Sequence, residues 1–312
     1  MVSPYGLGFS LLCFSFGCAN ATDASSSSEE GPAESMATNT ATQGNAERPE
    51  SATGVGAAAA APTNDPTGDD DAPAAGAARP ASRPDPGPKP AACSVSKDGD
   101  GFFWRSSSKS SYVAYVPASY TGDAPMRLVV GLHGCSDEPM NFARWGINPF
   151  DGRKTQNHIG LSVGGETGNN KCWSMGKDDA KVLAAVEDIA KCFWVDRAKV
   201  VIAGYSSGGQ LAYRVGLSNP DAFAGIIIEN SALYAAGLPA ATLLSTARGN
   251  KLPIAHRAHT SDSVFPIAKV KADWATIARA GNPLKTSEVA GGHDGSSADW
   301  LWLHAQSAGW SL

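Results

Sequence analysis

Residues Gly204-Tyr205-Ser206-Ser207-Gly208-Gly209 place a serine between two glycines at the spacing Gly-x-Ser-x-Gly. Ahead of them, Lys199-Val200-Val201-Ile202-Ala203 has the apolar character of a buried central strand. After them, Ser207 to Leu217 has helical spacing, stopped by Asn219-Pro220. A strand that turns at once into a helix leaves no room for side chains two residues before and two after the turning residue, and Gly204 and Gly208 meet that need. Ser206 is therefore the candidate nucleophile, since Ser207 would have Tyr205 at its minus-two position. In isolation the same letters also describe a plain strand-to-helix turn, so the residues around them decide.

A serine hydroxyl is a weak nucleophile. It needs a base to take its proton and a carboxylate to orient that base. Where Gly-x-Ser-x-Gly joins strand to helix, acid and then histidine follow the serine in the chain. Val289-Ala290-Gly291-Gly292-His293-Asp294 ends a predicted strand in a Gly-Gly-His loop, which makes His293 the candidate base. The other histidines fit less well: His304 falls in a helical stretch, His256 and His259 alternate within a strand, and His158 precedes the serine. Asp262 follows the predicted strand Ile254 to His259 and precedes a helix, so it is the candidate acid; helix capping is its other possible use. Asp294, adjacent to His293, is expected to be solvated or to cap the last helix. Leu128 to Leu132 reads as a strand ending in His133-Gly134-Cys135, where a loop can point an N–H at a developing oxyanion. The N–H groups of Cys135 and Ser207 are the expected pair of donors, and His133 is given a structural role.

The elements that must carry these groups alternate between strand and helix, the pattern of an α/β fold with a mostly parallel sheet and helices on both faces. Strands are expected at Tyr112 to Val116, Arg127 to Leu132, Asn157 to Val163, Phe223 to Ile228 and Thr286 to Val289, in addition to those above. Helices are expected at Asp178 to Trp194, Pro266 to Ala280 and Ser296 to Gln306, with a turn at Val195 to Ala198.

All of this lies after residue 92. From Ala19 to Ala92 there is no Trp, Phe, Tyr, Leu or Ile, and such a stretch reads as a disordered tether. Residues 1–92 carry 4 Lys/Arg against 11 Asp/Glu, while residues 93–312 carry 21 against 19. The near-neutral part offers no electrostatic case for nucleic acid. The apolar run from Gly6 to Phe16 is too short to span a bilayer and suits a signal peptide over residues 1–18. Gly17-Cys18 ahead of a polar tether resembles a lipoprotein signal, with Cys18 as the lipidated residue and the chain at the cell envelope or secreted. Any membrane contact would run through that lipid. Cys93, Cys135, Cys172 and Cys192 then remain, an even number in an oxidising compartment, and spacing alone allows three pairings. No Cys-x-x-Cys is present to suggest zinc.

His133-Gly134-Cys135, Cys172-Trp173, Val195-Asp196 before the strand into Gly204 to Gly209, Asp262-Ser263-Val264-Phe265-Pro266 and Gly292-His293 together resemble the α/β-hydrolase esterases grouped as the polyhydroxybutyrate depolymerase and feruloyl esterase family. The resemblance covers residues 93–312 and implies disulfides Cys135–Cys172 and Cys93–Cys192. It implies an acyl-enzyme serine esterase with no cofactor and no metal, acting on feruloyl or acetyl esters of plant polysaccharide or on hydroxyalkanoate polyesters. Trp173 and Trp145 are candidate substrate contacts, although a tryptophan more often ends in a core. With 220 residues and no long insertion there is little room for a lid, and a monomer is expected. The segments Trp145 to Asn170 and Asn230 to Leu244 depart from the family pattern, which leaves the acyl pocket unassigned. Two rival readings are a serine peptidase or amidase on the same scaffold and a surface lipoprotein that binds polysaccharide or polyester without turnover.

Overall fold

A computed structural model describes residues 85–312 other than Arg248. The expected signal, Cys18 and the tether up to residue 84 lie outside the described residues. The strands are β1 (Phe102–Ser106), β2 (Ser111–Tyr115), β3 (Met126–Leu132), β4 (His158–Val163), β5 (Val195–Tyr205), β6 (Gly225–Glu229), β7 (Ile254–His259) and β8 (Leu284–Val289). They form one 8-stranded sheet in the order β1-β2-β4-β3-β5-β6-β7-β8. Only the pairings of β1 with β2 and of β2 with β4 are antiparallel; from β4 to β8 every pairing is parallel. The α-helices are α1 (Pro139–Phe142), α2 (Asp179–Ile189), α3 (Ser207–Ser218), α4 (Ala240–Thr246), α5 (Ile267–Arg279) and α6 (Ser297–Ser307).

The central strands read as unbroken apolar runs because both faces of the sheet are covered. Successive side chains alternate between two cores. Leu128, Val130, Leu132, Val200, Ile202, Ile226 and Ile228 point to the side packed by α2 and α3. Val129, Val201, Ala203 and Ile227 point to the opposite side, against Phe142, Ile147, Trp300 and Leu303. β8 closes the sheet with Lys285 and Glu288 on an exposed edge, which blunts pairing with another chain.

Two expectations are corrected. Val195 to Ala198 is not a turn but the start of β5: Met126 pairs with Val195 and Leu128 with Val200, so a bulge in one long strand absorbs the polar residues. Its turn-like letters have a local use, because the Asp196 carboxylate accepts from the Ala198 N–H at 3.1 Å and pairs with Lys199 at 2.9 Å. The helix expected to run to Trp194 ends at Ile189, and the following turn presents Cys192 to Cys93. The pairings are Cys93–Cys192 and Cys135–Cys172. β1 and α4 were not anticipated, and α4 packs Leu243 and Leu244 into the core.

On β7, His256 is buried between Tyr213 and Trp274. The Trp274 indole donates to its Nδ1 at 2.8 Å, and the Tyr213 hydroxyl lies 2.9 Å from the same nitrogen. An accepting Nδ1 requires a neutral ring, and burial pushes the His256 pKa down to about 3. In the unfolded chain the same group titrates near its usual ~6.5. Its contribution to stability is thus complete above that value and is lost as pH falls from there toward 3. His304, pulled down to about 4 by burial, adds to the same trend. The melting temperature is expected to fall steadily between pH 6.5 and 4, and His256→Phe should flatten that slope; an unchanged slope in the variant would show that His256 does not carry the effect.

Candidate active site

The end of β5 and the start of α3 meet at Ser206, whose backbone has φ 53° and ψ −122°. A non-glycine residue in that region is strained and persists only where the surroundings impose it. The constraint is visible in the two glycines: a Cβ on Gly204 would lie 2.3 Å from the Gly208 carbonyl oxygen, and one on Gly208 would lie 2.0 Å from that of Leu132. Ser231 Oγ donates to the Ser206 carbonyl at 2.7 Å, and the Ser206 N–H donates to the Glu229 carbonyl at 3.2 Å. Ser207 is the first residue of α3, where an N–H has no acceptor within the helix and forms part of the positive end of its dipole.

The Ser206 hydroxyl lies 2.9 Å from His293 Nε2, and His293 Nδ1 lies 2.8 Å from Asp262 Oδ2. Asp262 Oδ1 accepts the N–H groups of Val264 and Phe265 at 2.7 and 2.9 Å, so its second oxygen faces the imidazole in a fixed direction. That carboxylate holds the turn after β7 and does not cap α5, whose N-cap is Pro266. The His293 ring packs on both Tyr205 and Phe265, whose ring centres each lie 5.5 Å from its own. The three residues proposed from the sequence thus stand in one hydrogen-bonded line.

Cys135 is tied to Cys172 beside this line, and the following Ser136 N–H donates to the Asn170 carbonyl at 3.1 Å. Trp173 is 4% exposed, and its indole donates to the His133 carbonyl at 2.8 Å. Its place is under the loop of Cys135, as a brace, instead of at an open substrate surface. Trp145 is half-buried, packs edge-on against Tyr205 and donates to Asp137 at 3.3 Å. His133 is fully buried, with Nε2 3.3 Å from a Glu166 carboxylate oxygen, as suits a structural residue. Asp294 is exposed, and the cap of α6 is Ser296, which accepts from the Asp299 N–H.

Sequence reasoning missed the groups that hold the histidine loop. Three successive carbonyls are each engaged. His259 Nδ1 lies 2.9 Å from the Gly292 carbonyl, the Tyr205 hydroxyl donates to that of His293 at 2.8 Å, and Asn230 Nδ2 donates to that of Asp294 at 2.7 Å. Asn230 sits just past β6 at φ 42°, a conformation that asparagine tolerates well, and its Oδ1 accepts the His259 N–H at 2.9 Å. The one available signal was an Asn directly after an apolar strand. Deeper in, the Glu229, His259 and Asp299 side chains bring possible ligand atoms within 4.8 Å of one another, but the cluster already holds a cation: Arg257 Nε lies 2.5 Å from Asp299. Burial and the neighbouring Asp299 push the Glu229 carboxyl well above the usual carboxylate range.

The sequence profile of the prolyl oligopeptidase family matches residues 174–274, which include Ser206 and Asp262 but not His293. No curated protein matches the chain. Among solved structures, the Staphylococcus aureus fluorophosphonate-binding serine hydrolase FphF aligns with a TM-score of 0.52 at 15% identity, over 66% of this chain and 94% of its own. S-formylglutathione hydrolase (FrmB) from the same organism aligns with a TM-score of 0.51 at 13% identity, over 66% and 95%. A ferulic acid esterase aligns with a TM-score of 0.50 at 15% identity, over 66% and 94%. At these identities the likeness is one of architecture, and the chain has the α/β-hydrolase fold.

If the three carbonyl contacts position the imidazole, Tyr205→Phe should slow Ser206 chemistry by roughly fivefold, the worth of one hydrogen bond of about 1 kcal/mol, and Asn230→Gly, which removes two, by roughly tenfold or more. The loss is expected in kcat with little change in KM, measured on a chromogenic acetate ester. A change confined to melting temperature would show that these bonds only support the fold.

Proposed function

We propose that the chain is a serine carboxylic-ester hydrolase that works through an acyl-enzyme. What supports this reading most is the continuous line from the Ser206 hydroxyl through His293 to Asp262, at 2.9 and 2.8 Å, on a strained turn. His293 takes the Ser206 proton as the oxygen attacks the ester carbonyl. The N–H groups of Cys135 and Ser207 hold the tetrahedral oxyanion, and the imidazolium returns the proton to the leaving alcohol. Water, deprotonated by the same imidazole, then releases the acid. None of these steps asks for a metal or an organic cofactor.

The substrate reading rests on the rim. Val264 is 54% and Tyr234 43% exposed; Val264 follows the turn of Asp262, and the Tyr234 ring lies 6.5 Å from Phe265, which packs on His293. Exposed apolar groups beside a nucleophile suit an acyl chain or an aromatic acid, in keeping with feruloyl or hydroxyalkanoate esters. The connection from β6 to β7 carries only a 3-10 turn (Leu233–Ala235) and α4, which suits an open cleft and a bulky or polymeric ester. Two disulfides support an oxidising compartment, and with the leader they support export, with Cys18 as the proposed lipid anchor.

A second reading, a peptidase or amidase, is favoured by the prolyl oligopeptidase profile over residues 174–274. A binder without turnover has no use for the strain stored at Ser206. The test is a panel of p-nitrophenyl acetate, feruloyl, acetyl-xylan and hydroxybutyrate oligomer esters beside peptide p-nitroanilides, with wild type and Ser206→Ala. Ester turnover that disappears in the variant is expected. Faster cleavage of the anilides would move the assignment to the peptidase reading, and ester turnover retained by the variant would remove the proposal.

A further inference from the structure

Arg127 is the second residue of β3, which runs parallel to β5, so it lies at the end of the strands opposite the one that carries Ser206. It is 5% exposed, and its Nη2 donates to Ser307 Oγ at 2.5 Å while its Nε is buried without an acceptor. No carboxylate lies against it among the described residues; burial alone acts on it, pulling its pKa down to about 10. It therefore stays a cation at neutral pH. A guanidinium taken out of water without a counter-charge is strongly disfavoured, so a buried one that is unpaired points to an anion that is not part of the chain.

Arg127 forms part of the wall of a hollow of about 210 Å³, and no other residue of that wall carries a fixed charge of either sign. Pro149, Leu301 and Ala305 give it apolar sides. His158 and His304 stack over one another at 4.8 Å, and their Nε2 atoms face the carbonyls of Ile147 and Gly146 at 3.0 and 2.9 Å. Burial and the charge of Arg127 hold both imidazoles well below their usual range, so neither is a second cation.

We propose that this hollow binds a small monocarboxylate with a short apolar tail, its carboxylate on the Arg127 guanidinium and its tail against Pro149 and Leu301. One planar fork matches one carboxylate. A dianion such as phosphate would find only half of its charge answered, and the volume admits a ligand of a few heavy atoms. The site is separate from Ser206, and its occupancy does not depend on what the serine does.

The test is isothermal titration of the full chain with butyrate, with the neutral isostere butyramide and inorganic phosphate as comparisons. Saturable binding of one butyrate per chain is expected, with butyramide and phosphate both weaker. Arg127→Met should weaken butyrate about tenfold or more, as loss of a charge-assisted pair does. The variant is expected to fold, because it removes an unpaired buried charge. Ala305→Trp, at an exposed position on α6 that forms part of the wall, leaves the guanidinium in place and fills the mouth; it should weaken butyrate as well, and it decides the matter if the methionine variant is lost. No saturable binding would mean that the hollow holds water only. Equal affinity in either variant would place the ligand elsewhere, and phosphate binding as tight as butyrate would overturn the monocarboxylate assignment.

Discussion

Ser206 sits at φ 53° because the chain has nowhere else to go between β5 and α3. The carbonyls of Leu132 and Gly208 crowd so closely on the turn that only hydrogen fits at positions 204 and 208. The strain lifts the hydroxyl out of the sheet and aims it at the loop after β8. The same packing leaves the Ser207 N–H at the open end of α3. One steric constraint thus sets the direction of the proposed nucleophile and of one proposed oxyanion donor together, and the covered parallel sheet holds both in place.

The imidazole needs equal precision, but it stands on a glycine-rich loop with little packing of its own. Its position comes from outside the loop: Tyr205 on β5, Asn230 just past β6 and His259 on β7 each reach one of three carbonyls in a row. Asp262 fixes the ring from the other side while its own second oxygen is occupied by backbone donors. Rigid strands therefore position a loop residue, which is how a connection without regular structure can carry a group that must stay within hydrogen-bond reach.

The legible part of the sequence was the part with strong local chemistry. Gly204 and Gly208 around Ser206, the strand ending at His133-Gly134, and the Gly-Gly-His loop each announce a backbone constraint in their letters. The central strands were legible because both faces are buried, whereas β1 borders polar, partly exposed positions and left no such trace. Val195 to Ala198 misled because a bulge uses turn residues without turning the chain. The roles of Tyr205, His259 and Arg127 left no trace, and that of Asn230 left only an Asn directly after an apolar strand. Each depends on a partner tens of residues away, and a linear text gives no sign of which carbonyl a side chain will meet or which charge will lack one.

In the proposed esterase His293 activates Ser206, and Asp262 orients the imidazole. The most direct measurement is the rate of covalent labelling by a fluorophosphonate, with the adduct located by peptide mapping. A single adduct on Ser206 is predicted, formed roughly a thousandfold or more slowly in Asp262→Asn and His293→Ala. An adduct on another serine, or a labelling rate that ignores both substitutions, would contradict it.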